Sequence, residues 1–245
     1  MRVAAVVPAY RAASTVDAVV AGLSREFQAL GDANAGVIVV DDGSDDATGE
    51  RARAAGAEVV SHPENRGKGQ ALLTGFRRAR ELGADAVVSV DADGQHLADQ
   101  ALLVARAPAP RDALVLGIRD LVRAGAPSAN RFSNRFSNVF LSFFSGRRLR
   151  DTQCGLRRYP LPETLELGLE SSGYELESEV ILKAAGSHWP IVEVPVEVYY
   201  PPESERVSHF HVVRDPARIV ARVLSTAASV KLSRPVPRGG SRSAS

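Results

Sequence analysis

The sequence predicts an α/β fold with a mostly parallel central sheet flanked by helices. Short continuous apolar runs at Val3–Pro8, Val37–Val40 and Ala86–Val90 have the make-up of strands buried on both faces. They alternate with stretches whose apolar residues recur at three- and four-residue steps, the spacing of a helix with one buried face. Glycine and Asp-Gly turns separate the two kinds of segment. That alternation is the signature of strand–helix–strand units.

Taken in order, Val3–Pro8 is the first strand and stops at proline. Ser14 caps a helix over Thr15–Gln28, with Val16, Val19, Val20, Leu23 and Phe27 on one face. Val37–Val40 is the second strand, ended by Asp41-Asp42-Gly43-Ser44. A short helix over Ala47–Ala55 stops at Gly56, and Glu58–Ser61 is a third strand. Lys68–Leu82 is a helix closed by Gly83. Ala86–Val90 is the fourth strand, ended by Asp91-Ala92-Asp93-Gly94. Ala113–Gly117 is the next strand. Ser128–Ser145 is a long amphipathic helix with Phe132, Phe136, Phe140 and Phe143 in register and with Arg131 and Arg135 one turn apart. Helices at Pro162–Leu169 and Tyr174–Ala185 follow, then a strand at Ile191–Val198. Asp215–Leu232 is a final helix. Arg214, Arg218 and Arg222 are spaced four apart along it, opposite Ile219, Val220, Val223 and Leu224. Ser233–Ser245, rich in Ser, Arg, Gly and Pro, is expected to be a disordered tail.

At 245 residues, such a chain buries roughly 70–75% of its unfolded surface and needs no cross-link to fold. The one cysteine, Cys154, cannot form an internal disulfide, and a reducing compartment is expected. The first apolar run is too short for a signal peptide, and no run reaches the length of a membrane-spanning helix. The net charge of +1 hides an asymmetry. Ile118–Arg158 holds nine arginines against two aspartates, and Arg206–Ser245 holds eight basic residues against one acidic. A basic face of this kind suits phosphates or an anionic membrane surface. No RNA- or DNA-reading motif accompanies it, so nucleic acid is not an expected partner.

Acidic pairs end two separate strands, Asp41/Asp42 and Asp91/Asp93. In open parallel sheets ligands bind beyond the carboxyl ends of the strands, so both pairs point into one crevice. Two hard oxygens from one turn suit Mg²⁺ or Mn²⁺, with water and phosphate oxygens completing the shell, and Gln95 can add a carbonyl oxygen. Alternatively, these carboxylates cap helices or satisfy turns. Asn65-Arg66-Gly67-Lys68-Gly69 lacks the full phosphate-loop spacing and reads as a turn before a helix, with Lys68 reaching a bound ligand or solvent. Cys154 reads as a packed residue rather than a nucleophile. The phenylalanine stripe of Ser128–Ser145 is either core or the apolar face of a helix lying in a membrane interface.

Several segments together resemble family 2 glycosyltransferases of the A-type (GT-A) fold, above all the branch with dolichyl-phosphate mannose and polyprenyl-phosphate glucose synthases. They are Val6-Val7-Pro8-Ala9-Tyr10, Val39-Val40-Asp41-Asp42-Gly43-Ser44, Asn65-Arg66-Gly67-Lys68-Gly69 and Val90-Asp91-Ala92-Asp93-Gly94-Gln95-His96. The similarity runs on through Gly117-Ile118-Arg119, Arg131, Asp151-Thr152-Gln153-Cys154-Gly155-Leu156-Arg157 and Glu193-Val194-Pro195-Val196, about residues 1–200. It implies a nucleotide-diphosphate sugar donor and an inverting transfer. It places Pro8, Ala9 and Tyr10 around the base, Asp42 in a hydrogen bond to it, and Asp91, Ala92 and Lys68 by the ribose and diphosphate. Asp93, with Asp91 and Gln95, would hold the metal. Arg119 and Arg131, with Arg135, would grip an acceptor phosphate, as guanidinium does in pairs of hydrogen bonds. A phosphate acceptor needs no general base. A hydroxyl acceptor would need one, and Asp151 is the candidate, unless it is a salt-bridge partner of Arg150 or Arg157.

On this reading residues 1–200 form one domain, with a donor half to about 118 and an acceptor half after it. Residues 201–232 supply an acceptor loop, in which Arg206, Ser208 and His209 form a variant clamp, and then the basic helix. The expected place of work is the cytoplasmic face of a membrane, as a peripheral protein. Two features depart from the family. Arg11-Ala12 stands where Asn-Glu is usual, and the segment Tyr200–His211 lacks the branch's arginine, glycine and Ser-Lys pattern, which leaves the acceptor open. The alternatives are transfer to a hydroxyl of a lipid, saccharide or small molecule, a sugar nucleotidyltransferase, and a catalytically inactive glycan- or lipid-binding adaptor. Pro8-Ala9-Tyr10-Arg11 is not the glycine-rich loop of a nucleotidyltransferase. The intact Asp42, Asp91, Asp93 and Arg119 argue against the adaptor.

Overall fold

The computed structural model describes residues 1–199 and 214–232. Arg206, Ser208 and His209 of the expected acceptor clamp, and the expected tail 233–245, lie outside the described residues. The chain runs β1 (Val3–Ala9), α1 (Val16–Phe27), β2 (Asn34–Asp41), α2 (Thr48–Ala54), β3 (Glu58–Ser61), α3 (Lys68–Glu81), β4 (Ala86–Ser89), α4 (Ala98–Ala105), β5 (Leu114–Arg119), α5 (Ser128–Ser145), β6 (Arg157–Pro160), α6 (Glu163–Glu166), α7 (Glu175–Gly186), β7 (Ile191–Val196) and α8 (Arg214–Leu232).

Among the described residues the strands form one seven-stranded sheet in the order β3-β2-β1-β4-β6-β5-β7. β6 runs against both its neighbours, β4 and β5, while the other pairings are parallel. The sheet is therefore mostly parallel. The chain winds outward from β1 through β2 to β3 and then returns to β1's other side with β4, which makes the β1/β4 boundary a switch point where a crevice opens.

Alternation along β1 divides the core in two. Val3, Ala5 and Val7 face Val20, Leu23 and Phe27 of α1 and Ala101 and Val104 of α4. Ala4 and Val6 face Leu72 and Phe76 of α3, Leu141 of α5, and Val180 and Ile181 of α7. Both faces are covered, and this is why the strands read as continuous apolar runs.

Four elements differ from the sequence expectation. Thr15, not Ser14, occupies the cap position of α1, with no side-chain cap bond; its hydroxyl donates to the Ala92 carbonyl at 2.6 Å. α4 and β6 were not expected. The helix expected over Pro162–Leu169 shrinks to the single turn of α6. On α5 the phenylalanines divide: Phe140 and Phe144 pack against the core, whereas Phe132, Phe136 and Phe143 are exposed. α8 packs on the protein through Val223, Thr226 and Ala227, all buried.

Candidate active site

The ends of β2, β1 and β4 lie side by side, which brings Asp41 and Asp42, Pro8–Tyr10, and Asp91–Asp93 to one edge of the sheet. Tyr10 directly follows β1, and the Arg11 guanidinium lies over its ring, 5.3 Å from the centroid. Arg11 is held there by a two-point bond to Asp45, at 2.8 and 2.7 Å. The departure from the usual Asn-Glu thus puts a cation over the aromatic ring expected beside the base.

The turn after β4 is fixed from three sides. Lys68 Nζ, at the first turn of α3, lies 2.7 Å from Asp91 Oδ1 and 3.4 Å from Glu177 Oε1 of α7. His96 Nε2 lies 3.6 Å from Asp91 Oδ2. Gly155 abuts Asp91 so closely that a Cβ there would stand 2.3 Å from Oδ2. Burial opposes charge on both Asp91 and Lys68. Their mutual attraction, with His96 and Glu177, more than offsets it, so the Asp91 carboxyl is held well below the usual range and the Lys68 ammonium well above its own.

Asp93 differs. Burial and then the negative charge of Asp91 push its pKa up. The only hydrogen bond it accepts among the described residues is from the Gln95 backbone N–H, at 3.0 Å. A carboxylate with uncompensated charge beside a second carboxylate fits a divalent cation. No cluster of three or more His, Cys, Asp or Glu side chains suited to a metal occurs among the described residues. A cation here would therefore draw its remaining ligands from water and phosphate, as Mg²⁺ does. Of the expected set, Asp93 has charge to offer, whereas Asp91 is already balanced by Lys68.

Asp42 is 3% exposed and committed to the protein. Its Oδ1 accepts from the Arg66 backbone N–H at 2.9 Å and lies 2.6 Å from His62 Nδ1, and its Oδ2 accepts from the Gly67 N–H at 2.8 Å. It therefore anchors the 65–68 turn. Gly67 needs its positive φ of 93° and its missing side chain, since a Cβ would meet the Ser172 carbonyl at 2.5 Å. This turn delivers Lys68 to Asp91.

Farther along the same carboxyl edge of the sheet, a cavity of about 890 Å³ opens beyond β5 and β7. Its lining includes Arg119, Arg123, Arg131, Arg135 and Arg150. Arg119 is gripped by Asp151 through Nε at 2.7 Å, Nη2 at 3.0 Å and its backbone N–H at 3.0 Å. Asn134 donates to the same carboxylate at 2.9 Å. Burial raises the Asp151 pKa, but Arg119 overcomes this and leaves it below the usual range. Asp151 is thus a buried anchor and a poor general base, and its partner is Arg119, not Arg150 or Arg157. Arg150 instead pairs with Glu193 at 2.7 Å, and Arg123 lies 3.8 Å from Glu197. The guanidinium groups of Arg131 and Arg135 have no partner among the described residues.

Two connections join cavity and acidic turn. The cavity-lining residue Val198 bridges to His96, and the Tyr199 N–H donates to the Gln95 carbonyl at 2.9 Å. The second runs through Arg157, fully buried on β6. It donates to the carbonyls of Thr152 and Cys154, each at 2.7 Å, and of Glu177 at 2.9 Å. It therefore fixes the loop carrying Asp151 and Gly155 against the helix carrying Glu177. Cys154 is buried within this loop, its thiol pushed up to about 12 by burial. Sequence reasoning missed His62, Glu177 and Asn134, and named Arg157 only as a possible partner of Asp151. His62 had a signal, since it too follows a strand end.

Residues 4–159 match the model of the family described as Glycosyl transferase family 2. The chain is 30% identical over 207 residues to an undecaprenyl-phosphate mannosyltransferase of Micrococcus luteus, covering 80% of this chain and 83% of the relative. It is 32% identical to a dolichyl-phosphate hexose transferase of Haloferax volcanii, covering 73% and 81%. The fold matches a structure of glucosyl-3-phosphoglycerate synthase from Mycobacterium tuberculosis in complex with Mn²⁺, UDP and phosphoglyceric acid, with a TM-score of 0.67 at 21% identity, covering 96% of this chain and 80% of that one. With the family match spanning well over half of its length, the chain belongs to glycosyl transferase family 2.

Proposed function

We propose that this glycosyltransferase moves a hexose from a UDP- or GDP-sugar to a polyprenyl phosphate or a similar lipid phosphate, with inversion, at a membrane surface. The observation that carries the reading is the arginine-lined cavity joined to the acidic turn after β4. Relatives named for undecaprenyl and dolichyl phosphate support the lipid acceptor.

In this reading the donor half, to about residue 118, holds the nucleotide along Pro8, Ala9 and Tyr10, with Asp42 bracing the 65–68 turn. Lys68, Asp91 and Ala92 border the ribose and diphosphate. Asp93, with Gln95 and Asp91, would hold Mg²⁺ or Mn²⁺, which when bound stabilises charge on the departing nucleoside diphosphate. In the acceptor half Arg131 and Arg135 bind the phosphate, and Asp151 orients Arg119 beside them. The acceptor oxygen is already anionic and attacks the anomeric carbon without losing a proton to the enzyme. The locked Asp151 favours this over a hydroxyl acceptor, which would need a base. Arg206, Ser208 and His209 complete the clamp in this proposal. No helix among the described residues is long and apolar enough to cross a membrane; in this proposal the enzyme meets its lipid at the membrane surface.

The test is a screen of UDP- and GDP-sugars with Mg²⁺ or Mn²⁺, scored for nucleotide release with polyprenyl phosphate, with 3-phosphoglycerate and with neither. Release that requires the lipid phosphate supports the proposal. Release driven by phosphoglycerate or by a neutral hydroxyl acceptor overturns it.

A further inference from the structure

α5 presents an apolar ridge to solvent. Phe132, Phe136, Val139 and Phe143 are 76%, 57%, 66% and 77% exposed. At 3.6 residues per turn they fall within roughly 60° of arc. Asn134 and Leu141, on the opposite side of the helix, are buried. The ridge is therefore not a misplaced core face, because the helix already has one.

The stretch of chain that carries the ridge is charged with one sign only. From Leu121 to Arg150 the chain carries six arginines and no acidic residue. Arg131 and Arg135 lie along one flank of the ridge and line the cavity. Arg147 and Arg148 follow the helix end at Gly146, whose φ of 67° turns the chain. Arg147, Arg148 and Arg150 border a second, smaller basic depression with Glu193 and Ile191. The 18 residues of α5 span roughly 27 Å, so arginines stand near both ends of the ridge.

We infer that α5 is the membrane-docking element. It lies in the interface of an anionic bilayer with its phenylalanines among the acyl chains and its arginines among the headgroups. An apolar stripe flanked by cations is the pattern of an interfacial helix, and the arginines of this acid-free stretch of chain complement anionic lipid. The cavity shares the helix's arginine flank, so its mouth adjoins the membrane plane. This inference rests on the lipid-phosphate reading for its use to the enzyme, but vesicle binding is measured without any transfer.

The experiment is flotation of the full chain with vesicles of phosphatidylglycerol and phosphatidylcholine, against phosphatidylcholine alone. The variants are Phe136→Ser/Phe143→Ser and Arg147→Glu/Arg148→Glu. Wild type is expected to float with anionic vesicles, and each double variant to lose about tenfold or more in binding. Both variants should keep wild-type melting temperatures and wild-type transfer to a short-chain, water-soluble prenyl phosphate. Equal vesicle binding by wild type and the phenylalanine variant overturns the inference. So does a concentration-dependent dimer of the wild type that the phenylalanine variant abolishes without any vesicle binding, since the ridge would then join two copies. If neither lipid nor soluble prenyl phosphate is glycosylated while anionic vesicles still bind, the transfer reading fails and the docking face stands.

Discussion

Lys68 Nζ lies 2.7 Å from Asp91 Oδ1, and the acidic turn after β4 is asymmetric as a result. One carboxylate arrives neutralised by the protein. The other, Asp93, is half-buried beside it and forms no ion pair among the described residues. The two aspartates of this turn are therefore not interchangeable.

Asp93→Asn is expected to reduce sugar transfer at least about a hundredfold, the scale of losing a group that stabilises developing charge. Metal-dependent nucleotide binding should weaken with it, while the melting temperature holds. Titration calorimetry with UDP or GDP, with and without Mn²⁺, checks this. Unchanged metal dependence of binding would remove Asp93 from the metal site.

Gly155→Ala should displace Asp91, because the new methyl carbon would sit 2.3 Å from its Oδ2. Overpacking of this sort costs about 1–3 kcal/mol. Nucleotide affinity should fall together with stability in urea denaturation, whereas a variant that kept full affinity would show that Asp91 can move without consequence.

Arg131→Ala should raise the acceptor KM by about tenfold or more, the scale of one charge-assisted hydrogen bond, and leave the donor KM nearly unchanged. Steady-state kinetics with both substrates varied tests it. Equal changes in the two constants would count against a phosphate-binding role.

Asp151→Asn should destabilise the protein at pH 7 by about 3–5 kcal/mol, the range for breaking a buried pair. The folded pKa of Asp151 lies below its unfolded value, which is about 3.9. The stabilisation from its ionised form is therefore present above that unfolded value and is lost as pH falls through the folded one. The gap between wild type and variant should narrow in acid, which urea titrations at several pH values would reveal.

Much of the donor half was legible in the sequence. Its strands are apolar on both faces, and their ends are marked by Asp41 and Asp91, so pattern and chemistry coincide. β6 was not legible because Arg157-Arg158-Tyr159-Pro160 begins with two charges that ordinarily mean surface. Both arginines are buried, Arg158 against the carbonyls of Ala105 and Ala107 at the end of α4. No strand pattern announces a guanidinium that donates to distant backbone. α4 was missed because its buried side is Ala101, Val104 and Ala105, too small a face to stand out. The pairing of Asp151 with Arg119, 32 positions away, depends on how β5 meets the 151–156 loop. Spacing along the chain favoured Arg150 and Arg157 instead.

Arg157 carries a consequence for anyone redesigning this enzyme. One guanidinium reads the main chain of a loop and of a helix at once, and main-chain atoms are the same whatever the side chains. The grip of Arg157 on the loop tolerates side-chain changes at positions other than Asp151 and Gly155, provided the loop's length and course are kept. Grafting a loop of different length from a cousin would unseat Glu177, and with it Lys68, some distance away. Tailoring of substrate choice should therefore proceed by point changes, not by segment exchange.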